Sequence, residues 1–479
     1  MKATYEQLYA LTQDQARHIQ DQAQQIQVLT QQLQAALTEI KVLKAEIRDL
    51  KDRLNTNSSN SSKPPSQDPF RKKRPKHRSG HKQGAQKGHQ GHLRALIPLE
   101  QVQKVHDVRP DHCPNCHSND FDPVAVRTEI RQVLELPEMP PEVVQFNIQT
   151  CRCLHCNKHV KAKTPDEAKY GFGPRLMGFV TSLSGEFRLS KRQVVALMGK
   201  IGFRICSGSV CKIHARASVV LAEAFEDIKK HTLNQKHLNV DETSWKMMKE
   251  KHWIWTGCGC DSVFFEIKTS RASAAFREVF GDFKGGLTTD RCGSYNCHKG
   301  DRQLCWSHAD RDFEKIATRA SFDRVVGEQL LSCKTQVFEL WHDFKCCRMS
   351  RIELIKRVEE GPKKDLALWL KAGIVHEDTQ SKTKATCGDF FNRFDMLWVF
   401  IYRENVEPTN NAAERSLRFG VIWRKLSYGS QSTTGERFVE RVMTVAMTLR
   451  LRAKNTFQYF TECFRAFIRG GKSPPVFAT

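Results

Sequence analysis

The sequence predicts a multidomain α/β protein in which an N-terminal coiled coil, a basic linker, a cysteine-rich module and a helical segment precede a mixed α/β domain. Three observations support this architecture. Apolar residues repeat every seven positions near the start, two Cys-x-x-Cys pairs follow a basic stretch, and strand-like segments alternate with helical ones from residue 233 onward. The 479 residues, 39% of them hydrophobic, suffice for several cores.

The first predicted element is a coiled coil over residues 1–54. Apolar residues recur at seven-residue intervals from Ile19 to Leu54, with Leu at several positions three residues later. Ile at the a position with Leu at d favours a parallel two-stranded coil, so we expect a homodimer. The alternative is a long helix that packs within the monomer.

Residues 55–110 are predicted to form a flexible linker and a basic arm. Asn55–Pro69 is rich in Ser, Asn and Pro, and nine Lys or Arg residues lie within Arg71–Arg94 without any carboxylate. Such a segment can be merely solvated, but one sign of charge favours an arm that contacts phosphates. The residues assigned to DNA contact in this arm are Arg71, Lys72, Lys73 and Arg74.

The excess of positive charge is localised. The chain carries +23 at pH 7, of which residues 1–54 contribute zero and residues 55–110 contribute +9. A surplus of this size points to a polyanionic partner and excludes an acidic, self-solvating protein.

A small zinc-binding module is predicted over residues 111–165. Two Cys-x-x-Cys knuckles can supply four thiolates to a tetrahedral structural Zn²⁺. His112, His117 or His155 could replace one sulfur, and reduced cysteines without metal remain the alternative. Alternating apolar residues between the knuckles are typical of strands. The predicted ligands are Cys113, Cys116, Cys153 and Cys156.

Residues 170–232 are predicted to be helical and to resemble a helix-turn-helix. A helical pattern breaks at Gly199–Gly202, and a second helix begins near Ser207 and Ser209. Seven basic residues against one acidic within 186–216 favour contact with DNA, but a helical hairpin that serves only for packing fits equally well.

The α/β domain is predicted over residues 233–460, with a tail at 461–479. Three strand-like segments follow His237, the helix Ser273–Phe280 comes next, and a short strand ends at Asp290. Asp241 lies within or at the end of the first strand. A single Asp at a strand end is usually a turn residue, so neither carboxylate alone indicates chemistry.

A third carboxylate, Glu414, changes this interpretation. Pro408 and Thr409 mark the start of a helix on which one face carries Asn411, Glu414, Arg415 and Arg418. Such a face makes little sense in a core but suits a phosphodiester, with Glu414 on a metal and the guanidinium groups on phosphate. Glu414, Asp241 and Asp290 together could hold two Mg²⁺ (or Mn²⁺) ions about 4 Å apart.

Several motifs in order resemble the insertion sequence 66 family of bacterial transposases. They are LNTNSSNSSKPPSQD, GAQKGHQGH, the paired knuckles, VDET, LTTDRCGSY, CWSHADR and PTNNAAERSLR. The resemblance implies an RNase H-like catalytic domain with a helical insertion at about 312–395. It also implies a DDE triad that falls on Asp241, Asp290 and Glu414.

The resemblance further implies cleavage of transposon ends and joining of the freed 3′-hydroxyl to target DNA, with possible help from other proteins of the element. His308 corresponds to a family histidine and is an accessory site residue or a structural one. Arg424 and Lys425 are expected to contact DNA; the alternative is an exposed basic pair that is only solvated. The chain departs from the family pattern at Thr409 and at Arg291–Cys292.

The seventeen cysteines are expected to be reduced, because no apolar segment at the start predicts secretion and none is long enough to span a membrane. We therefore expect a bacterial cytoplasmic, nucleoid-associated protein. Two other functions fit the same features: a non-catalytic zinc-containing DNA-binding dimer (a domesticated regulator), and a nuclease that cuts without joining.

Overall fold

The structure, a computed structural model, describes residues 5–57, 95–124 and 127–477. The described residues fall into two compact units. The first comprises 5–57, 146–196 and 205–477, and the second comprises 95–124, 127–145 and 197–204. The basic arm, with Arg71, Lys72, Lys73 and Arg74, lies outside the described residues.

The coiled-coil segment is one helix, α1 (Tyr5–Asn55). Its heptad seam is exposed in the single chain: Ile19 and Ile26 are 67% and 65% exposed. Intramolecular packing therefore does not cover the seam. Near its end, α1 contacts the rest of its unit through Asp52, whose carboxylate lies 3.7 Å from the buried Arg319.

The second unit contains the first knuckle and little regular structure. Apart from a 3-10 turn at Leu99–Gln101, residues 102–124 and 127–145 form neither helix nor strand. The strands expected between the knuckles are therefore absent from these residues. Apolar side chains in this stretch, such as Val133 and Val143, are exposed, so no buried face stabilises a ladder of strands.

The second knuckle lies in the first unit, between two short antiparallel strands. These strands are β1 (Thr150–Arg152) and β2 (His159–Lys161). Four helices follow along the chain: α2 (Pro174–Gly185), α3 (Lys191–Lys200), α4 (Ser207–Val220) and α5 (Ala222–Leu233). The break between α3 and α4 includes Gly202 at φ 86°, a left-handed conformation that glycine adopts without strain.

The centre of the first unit is a five-stranded mixed sheet in the order β5-β4-β3-β6-β7. Strands β3, β4 and β5 form an antiparallel meander, whereas β6 and β7 run parallel to β3. The strands, with α6 between β5 and β6, are β3 (His237–Met247), β4 (Glu250–Cys258), β5 (Val263–Lys268), α6 (Ser273–Phe280), β6 (Gly286–Thr289) and β7 (Arg302–Leu304).

Helices between β7 and the last part of the chain build a core of their own. Buried Trp306, Trp341 and Trp398 belong to one hydrophobic cluster that these helices share. The expected insertion boundary of about 312–395 falls inside this helical run. The helices are α7 (Trp306–Ala317), α8 (Phe322–Lys345), α9 (Arg351–Glu360), α10 (Pro362–Val375), α11 (Ser381–Asn392) and α12 (Val399–Tyr402).

Three C-terminal helices complete the unit: α13 (Asn411–Ser427), α14 (Thr433–Leu451) and α15 (Thr456–Ile468). Helix α13 packs on β3 and β4, whereas α14 lies along the edge strand β5. Glu440, Thr444 and Thr448 of α14 accept hydrogen bonds from the backbone N–H groups of Ile267, Phe265 and Val263. Four residues of helix (about 6 Å) match two of strand (about 6.6 Å), so α14 covers this edge.

Candidate active site

Two aspartates lie side by side at the centre of the sheet. The parallel pairing of β3 with β6 ends at Asn239 and Thr288, and Asp241 and Asp290 each come two residues later. Neighbouring strands are about 4.8 Å apart, so the register brings both carboxylates to the same place. Asp241 lies within β3, which continues beyond it in its pairing with β4.

Helix α13 brings Glu414 to this place, and Asn410 fixes its start. The fully buried Asn410 donates from Nδ2 to the carbonyl of Val240 (2.8 Å), one residue before Asp241. Its backbone N–H donates to Cys305 Sγ (3.1 Å), and its carbonyl accepts from the N–H of Glu414 (3.1 Å). One amide thus joins the first turn of α13 to the strand that carries Asp241.

The carboxylates lie close enough for their negative charges to raise the pKa of Asp241. Burial raises the pKa of Asp241 well above its usual range, and the charges of Glu242, Asp290 and Glu414 raise it further. The N–H of Glu242 donates to Asp241 Oδ1 (2.9 Å) and opposes this shift. The site therefore carries negative charge that the protein does not fully compensate, which is the condition that a divalent cation relieves.

A fourth carboxylate, Glu242, belongs to the same cluster and was missed at the sequence level. Burial raises its pKa to about 7, against the effect of a hydrogen bond from the Tyr295 hydroxyl. Tyr295 is fully buried in the 3-10 turn after β6. The sequence motif VDET places Glu242 directly after Asp241, which was the only local signal. The hydrogen-bond partner of Glu242, Tyr295, lies 53 residues away in the sequence.

A cavity of about 260 Å³ opens beside these groups. Its polar lining includes Asp241, Glu242, Glu414 and Arg418. Arg415 and Arg418 are exposed, as is Asn411, so this face of α13 points to solvent rather than into the core. Of the two adjacent asparagines, Asn410 holds the site together, and the sequence analysis singled out only Asn411.

His308 lies beside Glu414. Its Nδ1 is 3.6 Å from Glu414 Oε1, and Arg311, on the same helix α7, is 3.5 Å from that oxygen. Burial lowers the pKa of His308, and the charge of Arg311 lowers it further. Neither Arg311 nor Cys305 was predicted to belong to the site.

Two arginines hold the loop that carries Asp290. Arg302 is buried and donates to the Asp290 carbonyl (2.8 Å) and to Thr289 Oγ1 (2.8 Å). Arg291 pairs with Asp312 of α7 (2.6 Å) and with Asp389 of α11. The departure from the family pattern at Arg291 therefore joins this loop to helices α7 and α11.

The two remaining basic candidates differ. Arg424 is half-buried and donates to the carbonyl and the hydroxyl of Ser244 on β3, and burial lowers its pKa. Lys425 is exposed. Arg424 thus has a structural contact that the sequence did not reveal.

The two knuckles have the same local geometry. In each, the first cysteine donates its N–H to a carbonyl five residues later: Cys113 to Ser118 (2.7 Å) and Cys153 to Lys158 (2.8 Å). The residue after the second cysteine has positive φ in each, 59° at His117 and 65° at Asn157. Nearby backbone N–H groups lower the pKa of Cys113 and of Cys153, which favours the metal-binding thiolates.

The fold and the site place the protein among mixed α/β proteins with carboxylates clustered at adjacent strands and exposed arginines beside them. The model of the Transposase IS66 family matches residues 172–437, more than half of the chain. The protein belongs to this family. It is therefore a transposase, a DNA-processing enzyme of a family that binds DNA.

A second family model, for a family of unknown function (DUF6444), matches residues 12–95. That match spans most of the coil, the linker and the basic arm. No curated protein matches the chain. In the described part of the chain, no helix is long and apolar enough to cross a membrane.

Proposed function

We propose that the protein is a DDE transposase that cleaves transposon ends and joins the freed 3′-hydroxyl to target DNA, with Asp241, Asp290 and Glu414 as the catalytic carboxylates. One observation carries the proposal. The pKa of Asp241 on β3 is raised by burial and by the charges of its neighbour Glu242, of Asp290 after β6 and of Glu414 on α13. Asp290 and Glu414 lie 49 and 173 positions after Asp241 in the sequence. Bringing three like charges together destabilises a fold, so this arrangement favours a functional role over a structural one.

The residues present fit divalent magnesium or manganese. Asp241, Asp290 and Glu414 offer only carboxylate oxygens, the ligands that hard cations prefer. When bound, a pair of such ions would activate the attacking hydroxyl or water and stabilise the leaving oxygen. The cavity beside these carboxylates leaves room for a phosphodiester.

The protein's own groups orient the DNA and the carboxylates. Arg415 and Arg418 present exposed guanidinium groups beside the cavity, where they can pair with phosphate oxygens. Asn410 joins the start of α13, which carries Glu414, to the Val240 carbonyl of β3. Arg302 stabilises the loop that carries Asp290 by donating to the Asp290 carbonyl. Arg311 and His308 flank Glu414, at 3.5 Å and 3.6 Å from its Oε1.

The sheet order supports an RNase H-like catalytic domain. Three antiparallel strands followed by two strands parallel to the first, with acidic residues on the first and fourth, are the arrangement that this assignment requires. The helices from α7 to α12 then form the insertion between Asp290 and Glu414.

The remaining parts of the chain fit DNA binding by a dimer. The exposed seam of α1 suits a second copy of the chain, and the arm between Arg71 and Arg94 suits DNA phosphates. Each knuckle is shaped to give two thiolates to structural Zn²⁺. The segment α3–α4 remains a candidate for DNA contact.

The test is strand cleavage and strand transfer on a transposon-end duplex with Mg²⁺, with joined products separated from cut ones. We expect Asp241→Asn, Asp290→Asn and Glu414→Gln each to lower the rate by about 10³-fold or more, with DNA binding retained. Glu404→Gln, on an exposed turn, is the control.

Full activity in Asp241→Asn with unchanged DNA binding would refute the triad. Cut products without joined ones would favour the nuclease alternative, and DNA binding without any cleavage by the unaltered protein would favour the regulator.

A further inference from the structure

A second set of metal-ligating side chains adjoins the carboxylate cluster. Cys305 Sγ, a ring nitrogen of His308 and a carboxylate oxygen of Glu414 all lie within 4.8 Å of one another. No other group of three His, Cys, Asp or Glu residues in the described part of the chain is this close. The set differs from the proposed triad because it adds a thiol and an imidazole to one shared carboxylate.

The set is built on two helix starts that are tied together. Cys305 precedes α7 and His308 lies in its first turn, three residues later, whereas Glu414 lies in the first turn of α13. The N–H of Trp306 donates to the carbonyl of Pro408 (2.9 Å), and the N–H of Asn410 donates to Cys305 Sγ (3.1 Å). These two hydrogen bonds hold the two helix starts, and with them the three ligand residues, next to each other.

One ligand atom is left without a partner. His308 Nδ1 is buried and makes no hydrogen bond within the described residues, although Glu414 Oε1 is 3.6 Å away. A buried ring nitrogen without a partner is costly and needs an explanation. A metal ion between this nitrogen, the Cys305 sulfur and the Glu414 oxygen supplies one.

The ligand chemistry selects the class of ion. Thiolate and imidazole favour Zn²⁺ and similar thiophilic cations over Mg²⁺. Tetrahedral bonds of about 2.0–2.3 Å place ligand atoms about 3.3–3.8 Å apart, so separations of at most 4.8 Å must close by no more than about 1.5 Å. Two features oppose binding: burial raises the pKa of the Cys305 thiol, and the Arg311 guanidinium, 3.5 Å from the same Glu414 oxygen, must move aside.

We propose that Cys305, His308 and Glu414 form a binding site for a thiophilic divalent cation such as Zn²⁺, and that its occupancy inhibits strand cleavage by withdrawing Glu414 from the catalytic carboxylates. The inhibitory part rests on the proposed catalytic role of Glu414. Binding by itself does not, because the three ligands suffice for it.

Binding is tested first, without any reaction. The full chain, with its knuckles loaded with Zn²⁺, is titrated with Co²⁺, and sulfur-to-cobalt charge-transfer absorption is followed. We expect one additional thiolate-bound cobalt, with affinity lowered roughly 10- to 100-fold or more in Cys305→Ser and in His308→Gln. Cys333→Ser is the matched control, because Cys333 is as buried as Cys305 (2% exposed) but lies on α8, away from the three ligands.

Inhibition is tested second, with Zn²⁺ added to cleavage reactions at fixed Mg²⁺ and each variant compared with its own rate without Zn²⁺. The inhibitory concentration should rise at least about tenfold in Cys305→Ser and fall in Arg311→Gln, which removes the competing cation.

Cobalt absorption that is the same in Cys305→Ser and Cys333→Ser would overturn the site. Normal cobalt binding with zinc-resistant cleavage would overturn the inhibition. If the unaltered protein shows no Mg²⁺-dependent cleavage, the proposed function fails, while the cobalt titration still decides the site.

Discussion

Buried polar side chains are paired at the edge strand β5 but surrounded by like charge beside the inner strands β3 and β6. Along β5, Glu440 accepts a hydrogen bond from the N–H of Ile267 (2.6 Å) and pairs with Arg437 (2.9 Å). Thr444 and Thr448 accept hydrogen bonds from the N–H groups of Phe265 and Val263. Beside β3 and β6, by contrast, Asp241 is surrounded by further carboxylates. Burial raises the pKa of both Glu440 and Asp241, but the nearest partners of Glu440 oppose the shift.

The difference separates an edge of the sheet that stabilises the fold from the proposed catalytic cluster at its centre. At the β5 edge, the three acceptor side chains of α14 bind backbone N–H groups that have no neighbouring strand to bond to. Each of these hydrogen bonds therefore stabilises the fold. At the carboxylate cluster, the same chemical groups destabilise the metal-free protein until cations bind. Substitutions at the two places should therefore change stability with opposite signs.

The largest effect on folding is expected at Glu440. Glu440→Ala leaves the buried N–H of Ile267 without an acceptor and Arg437 without its partner, so it should cost about 3 kcal/mol. Urea denaturation at pH 7 measures this loss. Glu440→Gln keeps an acceptor and is the matched control, with a smaller cost; equal costs for the two variants would contradict the assigned hydrogen bond.

The opposite sign is expected at Glu242. Its folded pKa, about 7, is above the unfolded value of 4.5, so the proton it binds stabilises the fold at low pH. That contribution is lost as pH rises from 4.5 through 7. Glu242→Gln keeps an acceptor for Tyr295 and should therefore stabilise the metal-free protein at pH 8 by about 2 kcal/mol, with little effect at pH 4.5.

Urea denaturation across this pH range, without divalent cations, provides the measurement for Glu242. Glu404→Gln serves as the control because it lies on an exposed turn. A Glu242→Gln variant that is less stable than the unaltered protein at pH 8 would show that the carboxylate is not under electrostatic strain.

The smallest effect is expected at Thr444. Thr444→Val keeps the shape of the side chain but removes the acceptor for the Phe265 N–H, at a cost of about 1 kcal/mol. The same change at Thr434, which is exposed on α14, should be neutral. Equal costs at the two positions in urea denaturation would indicate a general helix effect of valine and not a lost hydrogen bond.

Local sequence patterns predicted what depends on neighbours in sequence. The helix Ser273–Phe280, the start of α4 at Ser207 and the placement of Asp290 after a short strand agree with the structure. Periodicity and turn residues determine these features within a few positions.

Features that depend on long-range register were not predictable. Asn410 acts through a carbonyl 170 residues away, and Tyr295 reaches Glu242 across 53 residues. Nor did composition distinguish Asn410, which is buried, from Asn411, which is exposed. Arg424 was predicted as a DNA contact on charge alone, and its contact with Ser244 required the packing of α13 on β3.

The central claim, that Asp241, Asp290 and Glu414 together hold the divalent cations, is tested most directly by counting ions. Electron paramagnetic resonance of Mn²⁺ bound to the protein with a transposon-end duplex should report two tightly bound ions per site in the unaltered chain. Asp241→Asn, which keeps an acceptor for the Glu242 N–H, should lose at least one. Two ions bound with unchanged affinity in Asp241→Asn would contradict the claim.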